Sequence, residues 1–202
     1  MINDTYFTIE KDAQGGVFKD KGSKFYGYIF YVTSEQEVKE RIDLLKEEHY
    51  KARHWCYAYM LGTFTKKYRA NDDGEPSNSA GQPILGQIKS FDLTNVLIVV
   101  VRYFGGTKLG VGGLISAYKE GAKLAIEASK IVKKTIDVHL KLTFTYEHLN
   151  KIMRVIKDNK LDIVSQSMEM KCEFIVSMRL ADADRIEEVF KNLRCAKVKK
   201  VD

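Results

Sequence analysis

The chain has 202 residues, of which 45% are hydrophobic and 30% are charged, and its formal net charge is +6. This length and composition predict a stable globular protein with one large domain or two small ones. No run of about 18 apolar residues occurs, and the first ten residues lack the basic and apolar segments of a signal peptide, so we expect a cytoplasmic protein that does not enter a membrane.

The number of cysteines and the distribution of charged residues narrow the class of protein further. The three cysteines, Cys56, Cys172 and Cys195, are odd in number and far apart, which argues against a disulfide framework and a Cys-x-x-Cys metal site and favours buried thiols. Residues 131–202 carry 15 Lys and Arg against 11 Asp and Glu, so the basic excess is greatest near the C terminus. Such a balance is compatible with a nucleic-acid partner but does not require one.

Strand patterns dominate the first 130 residues. Aromatic and β-branched residues predict strands at 6–10, 24–32, 54–64 and 95–103. The last of these is apolar throughout and is expected to be fully buried. Residues 65–83 contain both prolines of the chain and no apolar period, which predicts a long surface loop.

Three helices are predicted between these strands. Ser34 and Glu37 form a capping box, and the apolar residues that follow recur at helical spacing, so a helix begins there. A short helix is predicted at 84–91. A longer helix at 114–129 presents a face of mostly small residues, which allows close packing.

The pattern restarts near residue 133, where we place a boundary between two domains, 1–132 and 133–202. Alternating and helical apolar periods predict elements at about 136–145, 147–159, 162–168, 171–180, 184–193 and 196–201. Their order is strand, helix, strand, strand, helix, strand, which is the ferredoxin-like split arrangement. The predicted fold class is therefore α+β.

A glycine-rich stretch is the first candidate site. In VVVRYFGGTKLGVGGLISAYKEGAK (residues 99–123) a buried strand ends in several glycines and then a helix begins. Free N–H groups and the helix dipole favour an anion there, and Arg102 and Lys108 could supply charge-assisted contacts to a phosphate. The spacing matches neither a P-loop nor G-x-G-x-x-G, and a tight strand-to-helix connection without a ligand is the alternative.

An acidic loop is the second candidate. NDDGEPSNSAGQP (residues 71–83) places Asp72, Asp73 and Glu75 within four residues, with Ser79 close behind. Carboxylate oxygens could hold a hard divalent cation, whereas Asp-Gly and the prolines are also ordinary turn chemistry. Both interpretations stay open, and no metal site is assigned.

A histidine and a cysteine form the third candidate. His54 and Cys56 are two residues apart on a predicted strand and share one of its faces. A Cys-His nucleophile needs a third group that orients the histidine, and no such group is identified. A buried cysteine beside an edge histidine is the alternative.

Four motifs together resemble the YigZ/IMPACT family. They are SKFYGY at 23–28, ARHWCYAY at 52–59, DDGEPSNSAGQPIL at 72–85 and VVVRYFGGTKLGVGGLISAYKEGAKLAI at 99–126. The resemblance covers essentially the whole first domain. It implies that this domain is similar to the second domain of small-subunit ribosomal protein five and to domain four of elongation factor G. It also implies that the ferredoxin-like domain is similar to domain five of that factor.

The resemblance implies contact with RNA or the ribosome and a link to translation or its regulation. The leading hypothesis is a non-catalytic protein without a cofactor that contacts phosphate through Arg102, Lys108 and the N–H groups of Gly105, Gly106 and Gly110, extended by Arg53 and Lys24. The alternatives are a hydrolase that uses the acidic loop with His54 and Cys56, and a module that binds a protein partner through the ferredoxin-like domain.

Overall fold

The computed structural model describes residues 4–201, which form two units. The N-terminal unit comprises residues 6–134, and the C-terminal unit comprises residues 4–5 and 135–201. Both units combine β-sheet with helices, which confirms the α+β class. None of the helices within residues 4–201 combines the length and the apolar character needed to cross a bilayer.

The elements of the N-terminal unit follow the predicted order with three additional strands. They are β1 (Thr5–Ile9), β2 (Ala13–Asp20), β3 (Ser23–Tyr31), α1 (Glu35–Glu48), β4 (His54–Leu61), β5 (Lys67–Asn71), α2 (Gly81–Ser90), β6 (Val96–Tyr103), α3 (Gly110–Ala128) and β7 (Ile131–Thr135). Five strands form an antiparallel sheet in the order β2-β3-β6-β4-β5, and β1 pairs with β7 separately. The boundary predicted after residue 132 lies inside β7, and the two units divide after residue 134.

The sheet of this unit is covered on both faces. Helices α2 and α3 pack on one face, and α1 packs on the other through Val38, Ile42 and Leu45. Strand β6 lies at the centre of the sheet, and its residues 96–101 are all fully buried, as the apolar run predicts. Helix α1 begins after the predicted cap, because the Ser34 hydroxyl accepts a hydrogen bond from the Glu37 N–H at 3.2 Å.

Three sequence predictions for this unit need correction. The predicted loop at 65–83 contains strand β5, an edge strand whose first three residues are exposed and which therefore lacks an apolar alternation. Strands β2 and β7 were not predicted, and both are largely polar or exposed. Helix α3 begins at Gly110 rather than at residue 114, so part of the glycine-rich stretch is helical.

Glycines let α3 approach the sheet closely. A Cβ atom on Gly27 of β3 would collide with the carbonyl oxygen of Gly121, and one on Gly121 would lie 3.0 Å from Val100 Cγ1. Backbone therefore packs against backbone where helix and sheet cross. This contact positions α3 over β3 and β6.

The C-terminal unit has the predicted split β-α-β-β-α-β order. Its elements are β8 (Asp137–Phe144), α4 (Leu149–Asp158), β9 (Asp162–Met168), β10 (Cys172–Arg179), α5 (Ala183–Asn192) and β11 (Ala196–Val201), with short 3-10 turns at Tyr146–His148 and Leu180–Asp182. The sheet order β11-β8-β10-β9 is that of a ferredoxin-like fold. Both helices cover one face of the sheet around Phe174 and Phe190.

All three cysteines are free thiols. Cys56 and Cys172 are buried, and Cys195 is partly exposed. The prediction of isolated, mostly buried thiols is confirmed for Cys56 and Cys172.

Candidate functional site

A cleft of about 450 Å³ lies where β4 begins, β6 ends and α3 begins. His54 stands opposite Arg102 in the β4–β6 pairing, and the N–H of Arg53 donates to the carbonyl of Arg102 at 3.3 Å. The polar groups of the cleft come from three separate motifs of the sequence: Arg53, His54, Glu75, Arg102, Lys108 and Gly110. Antiparallel pairing of β4 with β6 therefore brings members of all three candidate sites into one place.

The N terminus of α3 opens on this cleft without a side-chain cap. Its N-cap residue is Leu109, no side chain accepts a bond from the first turn, and that turn contains no acidic residue. The first N–H groups of a helix have no partner within the helix, so they favour an anion in front of them. Gly110, Val111 and Gly112 are exposed, and these donors are accessible.

The other two helices of this unit begin differently. Ser34 caps α1, as described above. For α2, the carboxylate of Asp72 accepts from the N–H groups of Ala80 at 3.0 Å and Gly81 at 2.8 Å. Asp72 therefore caps α2 from outside the helix, and its two oxygens are occupied, since the second accepts from the N–H of Asn78 at 2.8 Å.

The glycines beside the cleft serve different purposes. Gly105 lies against the backbone of Gly22, and its N–H donates to Ser23 Oγ at 3.1 Å, so it is a packing position. Gly106 and Gly110 have left-handed φ angles of +90° and +76°, which favour glycine. Gly112 has neither a close neighbour nor a left-handed φ. No contact among residues 4–201 explains why Gly112 is glycine.

The guanidinium group of Arg102 makes its contacts inside the protein. The residue is 5% exposed, its Nη1 donates to Glu75 Oε1 at 2.6 Å, and the same oxygen accepts from the Tyr118 hydroxyl at 2.7 Å. The guanidinium lies near the rings of Phe25 and Phe104. Glu75 thus balances the Arg102 charge that the sequence had suggested for phosphate. The Nε of Arg102 is buried and has no hydrogen-bond partner in the described part of the chain.

Burial keeps the Tyr118 hydroxyl in its protonated form. Desolvation, helped by the nearby Cys56 and Glu75, raises the pKa of Tyr118 well above its usual range. Tyr118 therefore acts as a hydrogen-bond donor to Glu75.

The three carboxylates of the acidic loop each have a partner within the N-terminal unit. Asp72 caps α2, the Oδ2 of Asp73 accepts from the N–H of Trp55 at 2.7 Å, and Glu75 pairs with Arg102. The three carboxylates thus act on different parts of the unit, and residues 4–201 contain no group of three or more His, Cys, Asp or Glu arranged to hold a metal ion. Ser79 is fully buried, and its hydroxyl donates to the Pro76 carbonyl at 2.6 Å.

His54 and Cys56 do not form a nucleophile and its base. Cys56 is fully buried, its thiol donates to the Asp72 carbonyl at 2.9 Å, and burial raises the pKa of the thiol well above its usual range. His54 is only partly buried and lines the cleft. Its Nδ1 donates to the Asp73 carbonyl at 2.9 Å, and its Nε2 lies 3.9 Å from Glu75 Oε1.

Lys24 lies outside the cleft. Phe25 stands opposite Arg102 and packs in the core beneath α3, whereas Lys24 stands opposite Tyr103. Adjacent residues of a strand point to opposite faces, so Lys24 is on the face that α1 covers. Arg53 and Lys108 are thus the exposed cations that the structure brings together from the predicted set.

Sequence reasoning missed two features of this site. One is the uncapped start of α3, for which the signal was available, because Lys108 and Leu109 stand where a capping Ser, Thr, Asp or Asn would be expected. The other is Phe104, which is 41% exposed and lines the cleft. An exposed aromatic residue next to a glycine pair gives no distinct sequence pattern.

The N-terminal unit has an antiparallel five-stranded sheet and a basic cleft at a helix N terminus. A ferredoxin-like unit follows it in the sequence. Together they define a two-domain α+β protein of the type that the four motifs suggest. The family model of the Impact N-terminal domain matches residues 21–126. The chain therefore belongs to the IMPACT family, which confirms the resemblance. All six polar cleft residues lie within the matched range.

Two curated relatives and one solved structure illustrate the similarity. "IMPACT family member YvyE" of Bacillus subtilis is 35% identical over 77% of this chain and 71% of its own length. An "IMPACT family member" of Haemophilus influenzae is 31% identical over 78% of each chain. A crystal structure of a hypothetical protein covers 100% of this chain and 99% of its own, with a TM-score of 0.79 and 23% identity, which supports the fold alone.

Proposed function

We propose that the N-terminal unit binds RNA, free or within the ribosome, by holding a backbone phosphate in the cleft at the start of α3. We further propose that this binding serves translation or its regulation. The observation that carries the proposal is the uncapped N terminus of a 19-residue helix opening on a cleft with two exposed cations. The similarity of both domains to domains of ribosomal and elongation proteins, implied by the family resemblance, supports RNA as the source of the phosphate.

The charges of the cleft suit an anion. Neither Arg53 nor Lys108 has an ion-pair partner among residues 4–201, and the single carboxylate of the cleft, Glu75, is neutralised by Arg102. A phosphate in front of α3 would accept from the first-turn N–H groups and from these two cations.

An aromatic side chain favours RNA over an isolated phosphate. Phe104 is exposed at the edge of the cleft, beside the cations. Proteins that bind single strands combine a basic groove with aromatic residues on which bases stack. The hydrolase alternative lacks comparable support, because the buried Cys56 thiol cannot reach a ligand in the cleft.

Replacing Arg53 and Lys108 together by glutamine is expected to weaken binding of a short single-stranded RNA by about a hundredfold at 0.1 M salt. Each charge-assisted contact contributes about 1.5 kcal/mol, which is roughly tenfold in affinity. The plot of log affinity against log salt should become shallower by ~1.4, since each single-strand phosphate contact contributes about 0.7 to the slope. Fluorescence anisotropy across a salt series measures both quantities.

The matched control is Lys39→Gln. Lys39 is exposed on α1, on the opposite face of the sheet, and its replacement should leave both affinity and slope unchanged. An Arg53/Lys108 variant that binds RNA with the wild-type slope would show that the cleft does not hold phosphate. Parallel sedimentation with purified ribosomes distinguishes free RNA from the ribosome as the partner.

A further inference from the structure

A second cleft, of about 430 Å³, lies in the C-terminal unit at one end of its sheet. Phe144, near the end of β8, stands opposite Cys172 at the start of β10 and Ala196 at the start of β11. The segments beyond these three positions therefore meet at the same edge. The polar side chains that line the cleft come from these segments and from the adjoining strand ends: Thr143, Thr145, His148, Lys171, Arg194 and Lys197.

The charge of this cleft is uniformly basic. Lys171, Arg194 and Lys197 are exposed cations, and no Asp or Glu lines the cleft with them. Among the described residues none of these three lies within 4.0 Å of a carboxylate. Among the ten other cations in the described part of this unit, six have such a partner and four do not: Lys141, Arg154, Arg179, Arg185, Lys191 and Lys200 are paired, whereas Lys151, Lys157, Lys160 and Lys199 are not. Like charges grouped without a counter-charge repel one another, and a bound anion would remove that repulsion.

The turn that ends α5 brings Arg194 to this edge of the sheet. Arg194 has a φ of +53°, in the left-handed region, where glycine or asparagine is less strained than a long side chain. It occupies the turn between α5 and β11. Lys160 has the same conformation after α4, with a φ of +52°, so a left-handed residue ends both helices of this unit and the conformation does not depend on the cleft.

The residues around this cleft indicate which anion it would bind. Tyr146 is 68% exposed and lies in the short turn between Thr145 and His148, both of which line the cleft. The hydroxyls of Thr143 and Thr145 can donate to a phosphate oxygen. Cations and hydroxyls for the backbone, together with an aromatic ring for a base, are the combination found in sites for single-stranded nucleic acid.

We propose that this cleft binds a backbone phosphate of single-stranded RNA through Lys171, Arg194 and Lys197. The site belongs to the C-terminal unit and does not depend on RNA binding in the cleft at α3. A free phosphorylated molecule would offer the same phosphate without a base for Tyr146, and the test separates the two sources.

The experiment is a nuclear magnetic resonance titration of the full-length, ¹⁵N-labelled protein with a single-stranded pentanucleotide and, separately, with inorganic phosphate. The pentanucleotide should shift the amide signals of residues 143–148, 171–172 and 194–197. The double variant Lys171→Gln/Arg194→Gln should weaken the binding measured from these signals by about tenfold. Signals of residues 102–112 report the other cleft and should respond to RNA equally in both proteins.

The matched control is Lys157→Gln/Lys160→Gln, which removes two exposed charges at the opposite end of α4 from His148 and should bind as the wild type does. Weaker shifts of the same amides with inorganic phosphate would support direct phosphate contacts. The proposal is overturned if RNA moves none of these amides, or if the Lys171/Arg194 variant binds with unchanged affinity. Shifts with inorganic phosphate but not with RNA would also overturn it and assign the cleft to a small phosphorylated ligand.

Discussion

Replacing Glu75 by alanine is expected to lower the free energy of unfolding of the N-terminal unit by about 3–5 kcal/mol, because it leaves a buried charge without its partner. The side chains of Glu75 and Arg102 are only 4% and 6% exposed, and they are joined at 2.6 Å. The substitution also removes the acceptor of the Tyr118 hydroxyl. Both losses affect groups that water cannot reach to compensate.

Chemical denaturation followed by tryptophan fluorescence measures this effect. Trp55 is the one tryptophan of the chain and lies in the N-terminal unit, so its signal reports the unfolding of that unit. The double variant Glu75→Leu/Arg102→Met removes both charges and should recover much of the lost stability, because no unpaired charge remains. If Glu75→Ala lowers the free energy of unfolding by less than about 1 kcal/mol, Arg102 does not depend on Glu75 as a buried partner. Arg102 would then be assigned to ligand binding.

Replacing Gly27 by alanine is expected to destabilise the same unit by about 3 kcal/mol, at the upper end of the usual cost of overpacking a core. The new methyl group would collide with the carbonyl of Gly121 and lie 3.2 Å from the Cβ of Ala125. Relief requires α3 to move away from β3, since the obstacle is backbone. The same movement would displace the N terminus of α3 from the cleft.

Gly16→Ala is the control for this substitution. Gly16 is also a strand glycine, in β2, but a Cβ atom there meets nothing within 4 Å and its φ is not left-handed. Its replacement should change the free energy of unfolding by less than about 0.5 kcal/mol. Equal stabilities of the Gly27 and Gly16 variants would contradict the close packing of α3 on the sheet.

The elements that the sequence predicted well have local causes. Ser34 and Glu37 specify the start of α1 within four residues, and the apolar run of residues 96–101 specifies a central strand without reference to any partner. Strand β5 was missed because KYRAN has no apolar alternation, and only pairing with β4 makes it a strand. Edge strands depend on a neighbour that may be distant in sequence.

The candidate site also has parts that a local sequence pattern predicts and parts that depend on residues distant in sequence. The phosphate hypothesis for the glycine-rich stretch rested on a local pattern, and Lys108 and Gly110 do line the cleft. The pairing of Arg102 with Glu75 spans 27 residues and depends on where the acidic loop returns to β4, which no local pattern reveals. The side of the sheet on which Lys24 lies follows from the register of β3 with β6, which the sequence also does not show.

The most direct test of this account measures the stability and the RNA affinity of Val111→Asp together. Val111 is 54% exposed, lies in the first turn of α3 and lines the cleft. A carboxylate at this position should stabilise the helix by about 0.3–1 kcal/mol through the helix dipole, and it should repel a phosphate held by the same N–H groups, so RNA affinity should fall by several-fold. Gln82→Asp, at an exposed position in the first turn of α2, should leave RNA affinity unchanged. If Val111→Asp keeps the stability of the wild type and binds RNA as tightly, the start of α3 is not the phosphate site.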